Sequence, residues 1–184
     1  MSTIATPSIT TWNVDPTHSV VEFKVKHMMI SSLKGHFTAV TGTLSLDEAD
    51  LTQSSVEAAI QIASIHTRDE GRDGHLKSAE FFDVEQFPTM LLKSTHIAQK
   101  SEGELVLTGD LTIKGVTRNV QFAVEGPSAA TKDPWGNSRI GVSATTKINR
   151  KDFGLTWNAA LETGGVMVSE EVSITLDLEF VKQA

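Results

Sequence analysis

Charged and histidine side chains are concentrated between His66 and Leu76, where they make up seven of eleven residues. The planar guanidinium groups of Arg68 and Arg72 can each donate paired hydrogen bonds to a phosphate, and His75 can contact a phosphate or quinone oxygen. These side chains are therefore candidates for binding a polar head group. The alternative is a solvated helix face, on which local ion pairs contribute ~0.3–0.5 kcal/mol each. The sequence leaves both interpretations open.

Three histidines recur at intervals of nine residues, at His18, His27 and His36. Nine residues of β-strand span about 30 Å and reverse the side-chain face, so His18 and His27 cannot share a metal ion. His27 and His36 could face each other across a hairpin, but no third ligand is evident, and zinc sites use three or four protein ligands. The chain has no cysteine, which excludes thiolate zinc sites and thiol catalysis. We therefore predict no dedicated metal site.

His75 also lies close in sequence to Asp73 and Ser78, but a catalytic triad is defined by geometry rather than by sequence proximity. The chain contains no G-x-S-x-G segment, no phosphate-binding P-loop and no glycine-rich dinucleotide motif. We therefore expect a binding protein rather than an enzyme, with no cofactor required for its activity.

Composition and charge argue against further functional classes. The 184-residue chain has a net charge of −7 and a pI of about 5.3, which argues against non-specific binding to nucleic acid. It has no apolar run near the ~20 residues of a membrane helix, so stable membrane insertion is not expected. Residues 1–12 lack the basic and apolar regions of a secretory signal, and this predicts a cytoplasmic location.

The elements that position these residues are predicted by alternating apolar and polar side chains, the period of a half-buried β-strand. Eight such segments occur: 21–27, 37–46, 56–62, 90–94, 105–113, 120–124, 140–148 and 172–180. Between Phe37 and Val40 the alternation slips, which predicts a β-bulge. Strands of this length would leave long edges in an open sandwich, and closure removes those edges. The sequence therefore favours an all-β, eight-stranded antiparallel barrel over a sandwich.

The interior of the predicted barrel carries few bulky side chains. A barrel of about eight strands is just wide enough to hold its own side chains or one small ligand. Small or medium residues predominate at the inward positions: Val21, Val25, Gly42, Ala58 and Gly109. We therefore predict room for a slender apolar ligand.

The segment His66–Pro88, called the insert below, interrupts the strand pattern. Its central residues are compatible with a helix, and aromatic residues follow at Phe81, Phe82 and Phe87. We predict a short helical insert over about residues 70–85 that caps one end of the barrel, with aromatic side chains inward and charges outward. Residues 1–11 are predicted to be an N-terminal tail, and residues 12–184 a single barrel domain.

Four segments of the chain resemble the YceI-like family: DPTHSVVEFKVKHM, HTRDEGRDGHLKSAEFFDVEQFP, LTGDLTIKGVTRNVQF and INRKDFGL. In order and spacing the resemblance covers most of the chain, from about Trp12 to Val181. It implies a lipocalin-like barrel with a helical insert after the third strand. It also implies a bound long isoprenoid, such as a polyprenyl phosphate or a quinone-type lipid, and a possible homodimer. The resemblance further implies that many relatives are periplasmic.

The expected function is therefore binding of an isoprenoid lipid in an apolar barrel tunnel, for storage or transport. The alternative is a stress or redox accessory protein whose barrel is filled by its own side chains and carries no lipid. For the lipid-binding function, the predicted ligand contacts are Val21, Phe23, Val25, His27, Phe37, Ala58, Ile60, Ile62, Arg72, His75, Leu76, Phe81, Phe82, Phe87, Met90, Leu92, Leu111, Phe153, Trp157 and Met167.

Two further motifs have structural interpretations. The residues from Asp15 to Ser19 predict an Asx-type turn that bends the first strand, although His18 could instead contact a ligand head group. Arg150 is predicted to pair with an acidic residue near the insert and so to fix that part of the barrel.

Overall fold

Twelve β-strands, one α-helix and four short 3-10 helices form the regular structure of residues 8–184, the residues that the computed structural model describes. The strands are β1 (Ile9–Val14), β2 (Val20–His27), β3 (Ser31–Phe37), β4 (Val40–Asp47), β5 (Ser55–Gln61), β6 (Ile65–His66), β7 (Thr89–Ser101), β8 (Glu104–Ile113), β9 (Val116–Glu125), β10 (Thr131–Lys132), β11 (Ser138–Asn149) and β12 (Val168–Lys182). The helix α1 (Glu70–Lys77) lies between β6 and β7. Within residues 8–184, no helix has the length and apolar character needed to cross a bilayer.

Eight strand positions close into an antiparallel barrel, because β12 pairs along both of its edges. One edge pairs with β11, and the other pairs first with β2 and then with β1. β1 and β2 therefore act as one bent strand, and β3 and β4, which pair with them, act as a second. The ring is completed by β5, β7, β8, β9 and β11, each paired with its neighbour. The predicted barrel is confirmed, and the sandwich is excluded.

Both bends occur where the sequence disrupts strand pairing. Pro16 lacks an N–H group, and the chain makes a short 3-10 turn there between β1 and β2. The Asp15 carboxylate accepts a hydrogen bond from the Thr17 N–H at 3.0 Å, which is the predicted Asx-type turn. Between β3 and β4, the Thr38 N–H donates to Ser64 Oγ at 3.2 Å instead of to a neighbouring strand. This interruption coincides with the predicted slip in alternation.

The barrel begins earlier in the chain than predicted. β1 already pairs with β4 at Ile9, which lies opposite Asp47, so residues 9–11 belong to the sheet rather than to a tail. The strand is anchored by Trp12, whose side chain is 1% exposed in the core. Residues 1–7 of the predicted tail lie outside the described residues.

The insert covers one end of the barrel, called the lid end below, and the opposite end is called the far end. α1 begins after Asp69, whose carboxylate accepts a hydrogen bond from the Arg72 N–H at 2.7 Å. It ends where Ser78 Oγ donates to the carbonyl of His75 at 2.6 Å. Turns rather than further helix follow, so the helical part is shorter than the predicted residues 70–85.

The buried apolar side chains form two clusters instead of one contiguous core. The larger cluster includes Trp12 and Phe153, and the smaller one is centred on Phe122. Partly buried residues such as Leu92 and Leu176 contact both clusters. The fully buried side chains are therefore divided between the two clusters, and partly buried side chains connect them.

Candidate ligand-binding cavity

A cavity of about 250 Å³ lies inside the barrel. Its wall extends from Leu76 and Leu155 at the lid end to Leu105 and Val124 at the far end, so the cavity follows the barrel axis. The wall is almost entirely apolar. Its few polar or charged residues are Glu22, Ser54 and Arg150. A void of this kind excludes charged ligands from most of its length and accepts apolar chains.

Medium-sized aliphatic side chains account for this void. Val56, Ala58 and Ile60 of β5 line the cavity, yet each stays partly exposed. Leu176 and Leu178 of β12 behave in the same way. These side chains point into the barrel, and their exposed surface is attributed to the cavity that they line.

Gly42 and Gly109 do not widen the cavity, contrary to the prediction. A methyl carbon added at Gly42 would lie 3.0 Å from Val14 Cγ2, and one added at Gly109 would lie 3.0 Å from Leu92 Cδ1. Neighbouring side chains therefore fill the space that the glycines leave. Both glycines serve close packing of the wall, and the width of the cavity comes from residues such as Ala58.

Aromatic residues close the lid end. Leu76, Phe81 and Phe82 of the insert line the cavity. Phe82 packs edge-on against Phe37 of the barrel wall, with the ring centres 6.2 Å apart. Phe81 packs against Trp157, in the loop before β12, with ring centres 5.3 Å apart. The insert and this loop together therefore form the lid.

Charged residues of the insert form hydrogen bonds within the insert itself. Asp73 is buried and accepts hydrogen bonds from the backbone N–H and the hydroxyl group of Thr67. Arg72 donates from Nε to the Thr67 hydroxyl at 2.9 Å and from Nη2 to the Thr67 carbonyl at 2.6 Å. His75 forms a hydrogen bond with Glu80. For Arg72 and His75 these contacts favour local pairing over contact with a ligand head group.

Twelve of the twenty predicted ligand contacts lie in the cavity wall, and eight lie outside it. Those in the wall are Val21, Phe23, Val25, Phe37, Ala58, Ile60, Leu76, Phe81, Phe82, Met90, Leu92 and Leu111. Those outside the wall are His27, Ile62, Arg72, His75, Phe87, Phe153, Trp157 and Met167.

The residues outside the wall have other partners. Ile62 and Phe153 are 0% and 1% exposed and belong to the larger core cluster. Phe87 covers Gly115, where an added methyl carbon would lie 2.8 Å from its ring. Trp157 lies behind Phe81 and supports it. These side chains hold the lid end together without facing the void.

His27 and Met167 lie beyond the cavity. His27 ends β2 opposite Val168, and Met167 accepts a hydrogen bond from the Met28 N–H at 2.7 Å through its carbonyl. Neither residue lines the cavity, and contact of either one with a ligand stays a prediction.

The wall residues that the prediction missed lie mainly on the later strands. They include Leu105, Leu107, Phe122, Val124, Val142, Ala144, Ile148, Val172, Ile174, Leu176, Leu178 and Phe180. Their apolar alternation is as regular as that of the earlier strands. Assigning alternate residues of all eight strands to the barrel interior would have identified them.

Arg150 is 4% exposed and lies in the cavity wall at the lid end. Its guanidinium donates to four backbone carbonyls, those of Leu155 at 2.7 Å, Trp157 at 2.8 Å, Ser169 at 2.8 Å and Val168 at 3.3 Å. The partners are thus carbonyl oxygens rather than the predicted acidic side chain. Burial lowers the pKa of Arg150, and the charge of Glu170 opposes this effect. Arg150 therefore ties both ends of the loop before β12 to the barrel.

A polar cluster lies at the far end, around Arg139. Its Nη1 atom lies 2.7 Å from Asp15 Oδ2 and 2.7 Å from Glu179 Oε1, and its Nε atom lies 2.7 Å from Asp133 Oδ2. Within the described part of the chain, Asp15, Glu179 and His18 come close enough to share a cation. The guanidinium already neutralises both carboxylates, so we assign no metal site there.

Replacing Arg139 with methionine is expected to lower the melting temperature at neutral pH. The melting temperature of the variant should also fall less than that of the wild type as the pH is lowered. The pKa of Asp133 is lowered from 3.8 to about 2, mainly by the hydrogen bond from Arg139 and further by those from Asn137 and Trp135. Arg139 is also the main cause that holds the pKa of Asp15 well below its usual range. Carboxyl groups with lowered pKa values stabilise the fold above their ordinary pKa, and this contribution is lost as the pH falls from about 4 through about 2. Thermal unfolding followed by circular dichroism across this range checks the prediction.

Lys93→Met provides the matched control, because Lys93 and Glu57 are 3.5 Å apart but 73% and 69% exposed. Exposed pairs contribute little, so this variant should melt like the wild type at every pH. An Arg139→Met variant with the wild-type acid response would contradict the assigned role of Arg139.

Comparisons with known proteins agree with this architecture. The sequence model of the YceI-like domain matches residues 12–180. A UPF0312 protein of Staphylococcus aureus (strain MSSA476) is 39% identical over 173 residues, which cover 94% of this chain and 98% of that protein.

Solved structures share the fold. BcnA of Burkholderia cenocepacia has a TM-score of 0.77 at 24% identity, over 90% of this chain and 98% of its own. The YCEI protein of Campylobacter jejuni has a TM-score of 0.74 at 27% identity, over 88% and 91%. A polyisoprenoid-binding domain from Saccharophagus degradans has a TM-score of 0.65 at 16% identity, over 94% and 98%. With the family model matched over residues 12–180, the chain belongs to the YceI-like family.

Proposed function

We propose that this protein binds a long-chain isoprenoid lipid, of the polyprenyl phosphate or isoprenoid quinone type, inside the barrel for storage or transport. The observation that carries this proposal is the apolar cavity that runs along the barrel axis beneath the lid. The description of the Saccharophagus degradans domain as polyisoprenoid-binding supports it through the shared fold. The accessory-protein alternative requires a barrel filled by its own side chains, and the presence of the cavity argues against it.

Burial of the hydrocarbon chain would supply most of the affinity. Each methylene group removed from water contributes about 0.8 kcal/mol, so a few isoprene units give a substantial gain. Ordering of the chain and lost translational freedom offset part of this gain. The wall contributes no specific polar contact over most of its length, and it therefore selects for apolar, slender molecules rather than for one chemical sequence.

The volume of the cavity limits the length of isoprenoid that it can hold. Its volume of about 250 Å³ lies just below the ~300 Å³ at which ligand pockets commonly begin. A long isoprenoid would therefore extend past the present ends of the cavity. The lid residues Phe81 and Phe82 are the groups that would have to move at the lid end.

The head group is proposed to lie at the lid end, near Arg150. Four of the five guanidinium N–H groups of Arg150 are bonded to backbone carbonyls, which leaves one donor and a positive charge in the cavity wall. Both favour a phosphate or a carbonyl oxygen over an apolar terminus. As part of this proposal, the lipid-loaded protein works in the cytoplasm, without a cofactor, and can form a homodimer.

Solvent extraction of the purified protein, followed by mass spectrometry, tests the function. We expect an isoprenoid species in near-stoichiometric amount, or stoichiometric uptake when polyprenyl phosphate or a quinone is added in detergent. An empty extract combined with no uptake would favour the accessory-protein alternative. Chemical turnover of the added lipid, lost in His75→Ala, would instead indicate an enzyme.

A further inference from the structure

The turn between β2 and β3 has two methionines where the backbone favours other residues. Met28 and Met29 have φ values of 51° and 62°, and the Ile30 N–H donates to the His27 carbonyl at 3.1 Å. This is a β-turn with positive φ at both central positions, within a three-residue hairpin loop from Met28 to Ile30. Asn and Gly are preferred at such positions. Non-glycine side chains there cost free energy. Turn geometry therefore does not explain the methionines.

Core packing does not explain them either, because the turn is exposed. Met28, Met29 and Ile30 are 38%, 59% and 81% exposed. Val166, which is 36% exposed, lies in the adjoining loop, whose Gly165 approaches Met29 Cγ. The hydrogen bond from the Met28 N–H to the Met167 carbonyl joins the turn to that loop. We call Met28, Met29, Ile30 and Val166 the tip surface.

Basic side chains flank the tip surface. Lys24, Lys26 and Lys34 are exposed on the β2–β3 hairpin, where Glu22 is the acidic residue. Lys24 lies directly opposite Lys34, an arrangement of like charges that costs stability. The chain as a whole carries a net charge of −7, so this hairpin is positive within an acidic protein.

The acidic residues near the start of β12, which follow Val166 in the chain, already pair with lysines outside the hairpin. Glu170 pairs with Lys151 at 2.6 Å, and Glu171 pairs with Lys147 at 3.5 Å. Lys24 and Lys26 are therefore left available to an external anion, whereas Lys34 lies 3.6 Å from the Glu22 carboxylate.

The tip surface adjoins the lid end of the cavity. Val25, three residues before Met28 on β2, lines the cavity, and so does Val168, which directly follows Met167. Three residues of β-strand span about 10 Å. A lipid that leaves a membrane contacted by the tip surface would therefore travel only about 10 Å to reach the cavity wall.

From these observations we infer that the tip surface docks on an anionic phospholipid bilayer, at the point where the isoprenoid passes between bilayer and barrel. This inference rests on the proposed function. Apolar side chains at the tip would enter the headgroup region, and the flanking lysines would contact anionic headgroups. The contact is peripheral and reversible, and it places the lid end against the membrane.

The double variant Met28→Asn/Met29→Gly tests the inference without endangering the fold, because Asn-Gly suits the turn. We expect an equal or higher melting temperature, together with roughly tenfold or greater loss of binding to vesicles of phosphatidylcholine and phosphatidylglycerol in co-sedimentation. Binding of the wild type should also fall in vesicles of phosphatidylcholine alone and at high salt. Trp135→Ser is the matched control, since Trp135 is 82% exposed but lies in the turn after β10 at the far end, and it should bind like the wild type.

Loading separates this inference from the proposed function. The double variant should take up detergent-dispersed polyprenyl phosphate as the wild type does, but receive it from vesicles more slowly. Wild type that binds vesicles but never loads would overturn the proposed function and leave the docking surface standing. Equal vesicle binding by the wild type and the double variant would overturn the docking surface. The docking surface would also be overturned if the double substitution turned a homodimer into a monomer, because the tip surface would then be a dimer interface.

Discussion

Ala58→Trp is expected to reduce isoprenoid loading by about a hundredfold while the barrel remains folded. Ala58 lies midway along β5, between Gly42 and Leu92, and lines the cavity. An indole ring at this position would occupy the space that a chain must cross. Excluding about four methylene groups from burial removes about 3 kcal/mol, which corresponds to a factor of about one hundred in affinity.

The fold should tolerate this change because the added ring enters an existing void. Overpacking of a filled core costs ~1–3 kcal/mol, and a void lowers that cost. Circular dichroism and thermal unfolding check the fold, and mass spectrometry of solvent extracts measures the loading. Val25→Trp, nearer the lid end, is expected to act in the same way.

Glu57→Trp is the matched control for Ala58→Trp. Glu57 is adjacent in β5 and points to the opposite face, where it is 69% exposed. The same indole on the outer face should leave loading unchanged. Wild-type loading by Ala58→Trp would show that the lipid binds elsewhere or that the inward face of β5 is misassigned.

The sequence predicts the strands well because strand periodicity is a local property. Alternation of side chains depends on adjacent residues, so Val21, Phe23 and Val25 identify both a strand and its inward face. The slip between Phe37 and Val40 is equally local, and it coincides with the interruption between β3 and β4. Eight such segments with long edges were sufficient to favour a closed barrel.

The width of the cavity could not be predicted in this way, because it depends on contacts between distant segments. Gly42 was expected to leave space, but Val14 of another strand fills that space. Similarly, Arg139 pairs with Asp15, 124 residues away in the chain, and no sequence pattern links the two. Pairing between strands decides which side chains meet, and this information is absent from any single strand.

The insert illustrates the same limit for charged side chains. The residue types of Arg72 and His75 suit both a head group and a local partner, so the sequence left the two interpretations open. The fold places Thr67 within hydrogen-bonding distance of Arg72, and Glu80 next to His75. Local partners therefore engage both side chains, whereas Arg150, expected to be structural, lies in the cavity wall.

Arg150→Met is expected to destabilise the protein by about 3–5 kcal/mol, the largest stability change predicted here. The substitution leaves four backbone carbonyls without their donor in a mostly buried environment. For a chain of this length, each kcal/mol lowers the melting temperature by roughly 2–4 °C. Thermal unfolding should therefore shift downward by roughly 6–20 °C.

Arg118→Met is the matched control, because Arg118 is exposed and its Nε donates to a single carbonyl, that of Asp152, at 3.1 Å. It removes the same charge and should change stability by less than about 1 kcal/mol. Equal effects of the two variants would contradict the role assigned to the buried hydrogen bonds.

Arg150→Lys separates charge from hydrogen-bond geometry. A lysine keeps the positive charge but has three donors on one atom, so it cannot reach carbonyls on both sides of the loop. We expect most of the stability loss of Arg150→Met to remain. Because that loop carries Trp157, which supports Phe81 of the lid, bound isoprenoid should also leave Arg150→Lys faster than wild type at temperatures where both are folded. If Arg150→Lys had the stability of the wild type and released isoprenoid at the wild-type rate, the positive charge alone would be sufficient to hold the loop.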